Sequence, residues 1–198
     1  GATLSVASLA AFFDTEYKGD GLKVKELIKG SPLEAGSNPV KPGCVITAID
    51  GVEIKAGMDY YPLLEGKAGK YTLLTVKDGK KESVITVKPI SSGAESELLY
   101  RRWVKRNKEM VDRLSGGRLA YVHIKAMDAG SFHDMYRVLM NDENRRKEAV
   151  IVDTRHNGGG WLHDDVCMLL SGKKVMEFRP RGQYIGDDPF DRWTKPSC

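Results

Sequence analysis

The sequence predicts two domains of different class, an α+β domain followed by an α/β domain. Residues 1–90 contain short apolar segments separated by glycine- and proline-containing turns, the pattern of an antiparallel sheet. Residues 118–198 alternate apolar strand-like segments with helical periodicity, which favours parallel strands. Between them, residues 91–117 hold a run of strong helix formers that we interpret as a linker helix.

The first domain is predicted to consist of strands, one short helix and two hairpins. Strand segments are expected at residues 4–13, 22–28, 43–49, 71–76 and 83–87, with a helix at 58–65. Leu22 and Val24 alternate with lysines, as in a half-buried strand. The dipeptide Asp50-Gly51 is typical of a two-residue hairpin loop, and a second hairpin is predicted across Asp78-Gly79.

The rest of the chain is predicted to be one long helix followed by alternating strands and helices. The expected elements are helix 94–114, strand 119–124, helix 131–140, strand 149–153, helix 161–170, strand 173–178 and a polar loop over 179–195. Ser115-Gly-Gly117 is predicted to end the long helix.

The segment 149–163 carries the strongest chemical signal. A buried strand over Ala149–Asp153 is followed by three glycines, Gly158 to Gly160, and then by an apolar helical pattern that begins at Trp161. Free backbone N–H groups beside a helix N-terminus favour a negatively charged ligand. A phosphate is one option, but the usual glycine–lysine motif is absent. The alternatives are the oxyanion of an acyl-transfer intermediate and an ordinary α/β turn.

Three stretches resemble the tail-specific (C-terminal processing) serine peptidases, and especially their tricorn branch. These stretches are residues 150–160, 100–107 and 117–124. The resemblance implies a crotonase/ClpP-like layer over 118–198. It also implies an oxyanion donor at the N–H of Gly159, with Gly158 or Gly160 beside it, and bracing roles for Arg155 and Asn157. It places the nucleophilic serine after Cys198 and the catalytic histidine before Gly1, so we expect an excised fragment that is inactive alone.

Residues 1–90 resemble a PDZ domain, a β-sandwich or barrel with short helices. The resemblance is carried by residues 21–24, 30–36 and 41–51, although Gly43-Cys44 replaces the usual Gly-Asp. It implies that a peptide adds as a strand beside Leu22 and Val24, with its end in the loop Lys18 to Gly21. Tyr60 and Leu64 would form the opposite wall. Lys18 is alternatively a solvated loop charge, and Tyr60 and Leu64 are alternatively core residues.

Charge, cysteine spacing and hydropathy narrow the classes of ligand and partner that the chain is expected to bind. The 31 Lys and Arg residues against 27 Asp and Glu give a formal net charge of +4, so nucleic-acid binding is not expected. Cys44, Cys167 and Cys198 form no metal-binding pair, and the first two are predicted core residues; no metal, cofactor or membrane span is expected. The expected partners are peptides or unfolded proteins, and a homo-oligomer is possible. Two functions remain, a serine-type peptidase and a non-catalytic PDZ peptide-binding adaptor.

Overall fold

The computed structural model describes residues 5–35 and 40–198. The chain divides into two compact units, residues 1–103 and 104–198. The boundary falls within one long helix, α1 (Ser92–Ser115), whose extent agrees with the predicted linker helix. Leu4 and Gly36, at the ends of two predicted segments, lie outside the described residues.

The first unit is built on an antiparallel sheet, as its turn-rich pattern predicted. Its strands are β1 (Ala11–Phe13), β2 (Leu22–Leu27), β3 (Val45–Ile49), β4 (Val52–Glu53), β5 (Thr72–Asp78) and β6 (Lys81–Val87). They are arranged in the order β1-β2-β3-β5-β6, and β4 pairs with β3. Two 3₁₀ turns, Pro32–Glu34 and Tyr61–Leu64, complete the unit. The second of these replaces the short helix predicted at 58–65.

Alternating side chains of this sheet form the core of the first unit. Val24, Ile46 and Leu74 are fully buried together with Leu33 of the first 3₁₀ turn. Each such side chain contributes about 1.5–3 kcal/mol relative to an exposed one. Cys44 is buried in the same cluster, which confirms its predicted role as a small core residue.

The two hairpins differ in how well the sequence located them. Asp50 and Gly51 form the loop between β3 and β4, with φ values of 46° and 80°, as the dipeptide predicted. The second loop is shifted by one residue, because Asp78 pairs with Lys81 and leaves Gly79-Lys80 as the loop. Gly79 has a φ of 59°, which suits a glycine at the first loop position.

The second unit combines a parallel strand pair with helices. Its elements after α1 are β7 (Leu119–His123), α2 (Ala129–Leu139), α3 (Asp142–Arg145), β8 (Ala149–Asp153), α4 (His163–Ser171), β9 (Met176–Phe178) and β10 (Gly186–Asp188). Strands β7 and β8 are parallel, and Ser197 forms an isolated parallel bridge with Val150 on β8. Their buried face packs with α2 and α4 around Val150, Ile124 and Leu139.

Three expectations for this unit are wrong. The segment predicted as a strand over 173–178 pairs antiparallel with β10 and does not extend the parallel pair. Trp161, predicted to start a helix with its apolar face inward, precedes α4 and is 91% exposed. Cys167 lies on the exposed side of α4 and is not in the core.

Candidate functional sites

The glycine turn lies where β8 ends, and backbone hydrogen bonds fix it against the segment that follows β7. Met127 donates its N–H to the carbonyl oxygen of Gly159 at 2.9 Å, and Leu162 donates to the carbonyl of Met127 at 3.2 Å. Gly160 forms an isolated parallel bridge with Met127. A Cβ atom on Gly160 would lie 2.1 Å from the Met127 oxygen, so no other residue fits there without movement.

The N–H groups of the three glycines in this turn differ in whether they donate a hydrogen bond. Gly159 donates to the side-chain oxygen of Asn157 at 2.7 Å, and Gly158 donates to the carbonyl of Lys125 at 3.4 Å. Within residues 5–35 and 40–198, the N–H of Gly160 has no hydrogen-bond partner. The N–H groups of Gly158 and Gly159, the two glycines named as donors from the sequence, are therefore engaged in hydrogen bonds. Among the described residues the N–H of the neighbouring Gly160 is not.

Asn157 and Arg155 hold the turn in the way the sequence interpretation assigned to them. The amide nitrogen Nδ2 of Asn157 donates to the carbonyl of Ile124 at 2.9 Å, while its Oδ1 accepts from Gly159. The guanidinium Nε of Arg155 contacts the two carboxylate oxygens of Asp153 at 3.0 and 3.1 Å. The turn is thus tied to both β7 and β8 by side chains.

A buried polar cluster supports the base of the turn. The hydroxyl of Tyr121 donates to Asp153 Oδ2 at 2.8 Å, and Asp153 is only 8% exposed. The Arg155 guanidinium holds the pKa of the Asp153 carboxyl well below its usual range. Burial, together with the hydrogen bond to Asp153, raises the pKa of Tyr121 to about 12.

Sequence reasoning missed Tyr121 in this cluster. A signal was present, because residues two apart on a strand share a face and Tyr121, His123 and Asp153 therefore lie on one side of the β7–β8 pair. His123 Nε2 lies 2.7 Å from the carbonyl oxygen of Arg155.

The structure contradicts the predicted peptide site beside Leu22 and Val24. On one side Leu22 pairs with Ile46 of β3, and Val24 donates its N–H to Cys44. On the other side Val24 is opposite Phe13 of β1. Because β2 lies between two strands, it offers no free edge for strand addition at this position.

The remaining four residues of that predicted site are an exposed lysine, a glycine whose N–H is engaged and two residues in or against the core. Lys18 is exposed, and Gly21 donates its N–H to the Ile54 carbonyl at 2.8 Å, so that amide is not available to a peptide carboxylate. Leu64 is 2% exposed and belongs to the core, which is the alternative given for it. Tyr60 is partly buried against the same core, with its ring 5.8 Å from that of Phe13 in an edge contact.

β1 is one of the two edge strands of this sheet, and β6 is the other. Phe12 is paired with Glu26 of β2, and the alternation of an antiparallel ladder then directs the N–H and C=O groups of Ala11 and Phe13 away from β2. In the described part of the chain no strand pairs with β1 on that side. Ala11 and Phe13 are the residues that an added strand would meet.

The described residues contain neither a metal-binding cluster nor a helix that could span a membrane. No cluster of three or more His, Cys, Asp and Glu side chains with metal-binding geometry is present among them. None of their helices is both long enough and apolar enough to span a membrane.

Two family models match the chain, one in each unit. Residues 14–92 match the tricorn protease PDZ domain, and residues 118–192 match peptidase family S41. The tricorn protease homolog of Saccharolobus solfataricus is 33% identical over 186 residues, which cover 90% of this chain and 17% of that protein. The tail-specific protease of Haemophilus influenzae is 28% identical over 178 residues, covering 84% of this chain and 24% of that protein.

A solved structure gives the same result at the level of the fold. The crystal structure of the tricorn protease superimposes with a TM-score of 0.71 at 25% identity, and the alignment covers 98% of this chain and 19% of that one. The chain therefore spans less than a quarter of each protein compared here. Residues 14–92 thus match a tricorn-type PDZ domain, residues 118–192 match peptidase family S41, and the chain is similar to tricorn and tail-specific proteases.

Proposed function

We propose that this chain is part of a serine-type peptidase, to which it contributes an oxyanion donor and a peptide-binding strand edge. The observation that carries the proposal is the N–H of Gly160, unpaired among the described residues, in a turn held by backbone hydrogen bonds at the carboxyl end of two parallel strands. A donor fixed before the reaction stabilises developing negative charge without reorganisation during it. The parallel pair and its helices would be the start of a crotonase-like layer.

The reaction would be acyl transfer from a peptide bond to a serine hydroxyl. A histidine base removes the hydroxyl proton as the oxygen attacks the carbonyl carbon, and the carbonyl oxygen becomes the oxyanion. By resemblance to the family, both the serine and the histidine lie outside residues 1–198. This chain would bind the oxyanion through the N–H of Gly160.

Gly160 is favoured over Gly159 because of what each N–H already binds. For Gly159 to serve, Asn157 would have to release its 2.7 Å hydrogen bond, and the turn would lose one of its braces. The Gly160 N–H needs no such change. Tyr121, Asp153 and Arg155 act only as positioning residues, since they hold the strand ends from which the turn begins.

The peptide-binding edge is proposed on β1, in place of the excluded site on β2. The N–H and C=O groups of Ala11 and Phe13 would form the ladder with an extended peptide. The 3₁₀ turn Tyr61–Leu64 and the adjacent Tyr60 would form the facing wall, because Tyr60 already contacts Phe13. This edge belongs to residues 1–103 alone, so it also supports the second candidate function, a non-catalytic peptide-binding adaptor.

A serine-directed phosphonate distinguishes the two functions in the complete protein. A peptidase is labelled at one serine outside residues 1–198 and loses peptide hydrolysis in proportion to labelling. Residues 1–198 alone are expected to show neither labelling nor turnover. Turnover by residues 1–198, abolished by a change within them, would contradict the proposal. Absence of both labelling and turnover in the complete protein, with peptide binding retained, would establish the adaptor.

A further inference from the structure

We propose that the β1 edge binds internal segments of extended polypeptide and disfavours a free C-terminal carboxylate at its closed end. The closed end is the corner formed by Ser8, Leu9 and Ala10, which leads into β1. This inference rests on the proposed peptide-binding edge and specifies which part of a polypeptide it accepts.

Most of the N–H groups at the corner are already engaged and cannot help to capture a carboxylate. Ala7 donates its N–H to the carbonyl of Leu64 at 3.0 Å, and Ser8 donates to the carbonyl of Ile90 at 2.8 Å. Ala10 donates to the hydroxyl oxygen of Ser8 at 2.9 Å. Carboxylate-binding loops work through successive backbone N–H groups that converge on the anion. Three of the four N–H groups from residue 7 to residue 10 are already used inside the protein.

A resident carboxylate occupies the same corner. The hydroxyl of Ser8 donates to Glu95 Oε1 at 2.6 Å, and Glu95 lies in the first turn of α1. The single hydroxyl proton of Ser8 is thus already donated to Glu95, while its oxygen accepts from Ala10. A second carboxylate arriving here would meet a like charge, and among the described residues the N–H of Leu9 is the one corner donor without a hydrogen-bond partner.

The occupant is therefore an extended segment whose chain continues beyond the corner, such as part of an unfolded protein. A strand that runs antiparallel to β1 directs its carboxyl end toward Ser8 and Glu95. If the chain continues, the next group is a neutral amide, which Glu95 does not repel. If the chain stops, the terminal carboxylate lies near the Glu95 carboxylate.

The test compares peptides of one sequence that differ only at the C-terminus. One ends in a free acid, one in an amide, and one continues for four more residues. Affinity for the ¹⁵N-labelled chain is measured from amide shifts of Ala11 and Phe13 at low salt. The amide and the extended peptide should bind about two- to fivefold more tightly than the acid, a difference of the size expected for one exposed charge contact.

Two variants identify the cause of that difference. Glu95→Gln should bring the acid to the affinity of the amide. Glu97→Gln makes the same charge change two residues further along α1, at a glutamate that pairs with Arg101. It should leave the difference between acid and amide unchanged. Raising the salt concentration should reduce the wild-type difference, because exposed charges are screened.

Failure of this inference can be distinguished from failure of the proposed peptide-binding edge. If the acid binds as tightly as the amide or more tightly, with shifts at Ala11 and Phe13, the inference is wrong and the strand edge remains. If Glu95→Gln changes nothing while the amide is still preferred, Glu95 is not the cause and the inference is also wrong. If no peptide changes the amide chemical shifts of Ala11 and Phe13, the β1 edge is not a binding site, and both proposals for it fail.

Discussion

Asp153 joins the strand end to the glycine turn because it binds Arg155 and Tyr121 at once. The carboxylate is largely buried, while the Arg155 side chain is 62% exposed. Hydrogen bonds to a buried charged group contribute more to stability than those between neutral groups, about 1.5–3 kcal/mol each. This cluster therefore carries a pH-dependent part of the stability of the second unit.

The sign of that dependence follows from the two pKa shifts. The folded pKa of Asp153 is depressed below its unfolded value of about 3.9, so its contribution is present above that pH and is lost as the pH falls. The pKa of Tyr121 is raised to about 12, so its contribution is present below about pH 10 and is lost as the pH rises toward 12.

We predict that Asp153→Asn lowers the free energy of unfolding by about 1.5–3 kcal/mol at pH 7. The difference from wild type should shrink as the pH falls below about 3.9, because the unfolded wild-type chain then takes up a proton at Asp153 that the folded state, with its depressed pKa, does not. Urea denaturation at pH 7, 5 and 3 measures this. An equal difference at all three pH values would show that Asp153 does not act through its charge.

At the scale of elements, the segment after β10 is anchored by one tryptophan that the sequence interpretation placed in a polar loop. Trp193 is 3% exposed and belongs to the core of the second unit. Its backbone N–H donates to the carbonyl of Leu169 at 2.9 Å, which ties the segment to α4. Pro196 then donates no N–H but accepts one from Val150 of β8.

We predict that Trp193→Ala costs about 3–5 kcal/mol of unfolding free energy, as expected for removal of a buried tryptophan. Trp161→Ala is the matched control, and because its side chain is 91% exposed its effect should stay within about 0.5 kcal/mol. Denaturant unfolding followed by circular dichroism gives both values. Similar costs for the two variants would mean that Trp193 does not anchor the core.

Elements defined by local chemistry were predictable, and elements defined by distant pairing were not. The loop Asp50-Gly51 and the end of α1 before Gly116 are set by residues within a few positions. By contrast, the apolar pattern of Met176–Phe178 suits any strand, and only its pairing with Gly186–Asp188 decides that it lies outside the parallel pair. Trp193 was missed for the same reason, since a single apolar residue has no periodicity.

For the whole molecule, the position of the glycine turn was predictable, but which of its N–H groups is left without a hydrogen-bond partner was not. Strand, glycines and helix follow in order along the chain, and that order suits an anion site or an ordinary α/β turn. Which glycine N–H groups are engaged depends on Asn157 Oδ1 and on the carbonyl of Lys125, which come close to the turn only on folding. The peptide site predicted beside β2 was wrong for a similar reason, because only the strand order shows that β2 lies between β1 and β3.

A tetrahedral adduct of the complete protein with a peptide boronate tests the central claim most directly. Its crystal structure gives the distance from the adduct oxygen in the oxyanion position to the nitrogens of Gly158, Gly159 and Gly160. We predict about 2.7–3.1 Å to Gly160, with Gly159 still bound to Asn157. An oxygen beyond hydrogen-bond reach of the Gly160 nitrogen, whether bound by Gly159 or by neither, would contradict the account.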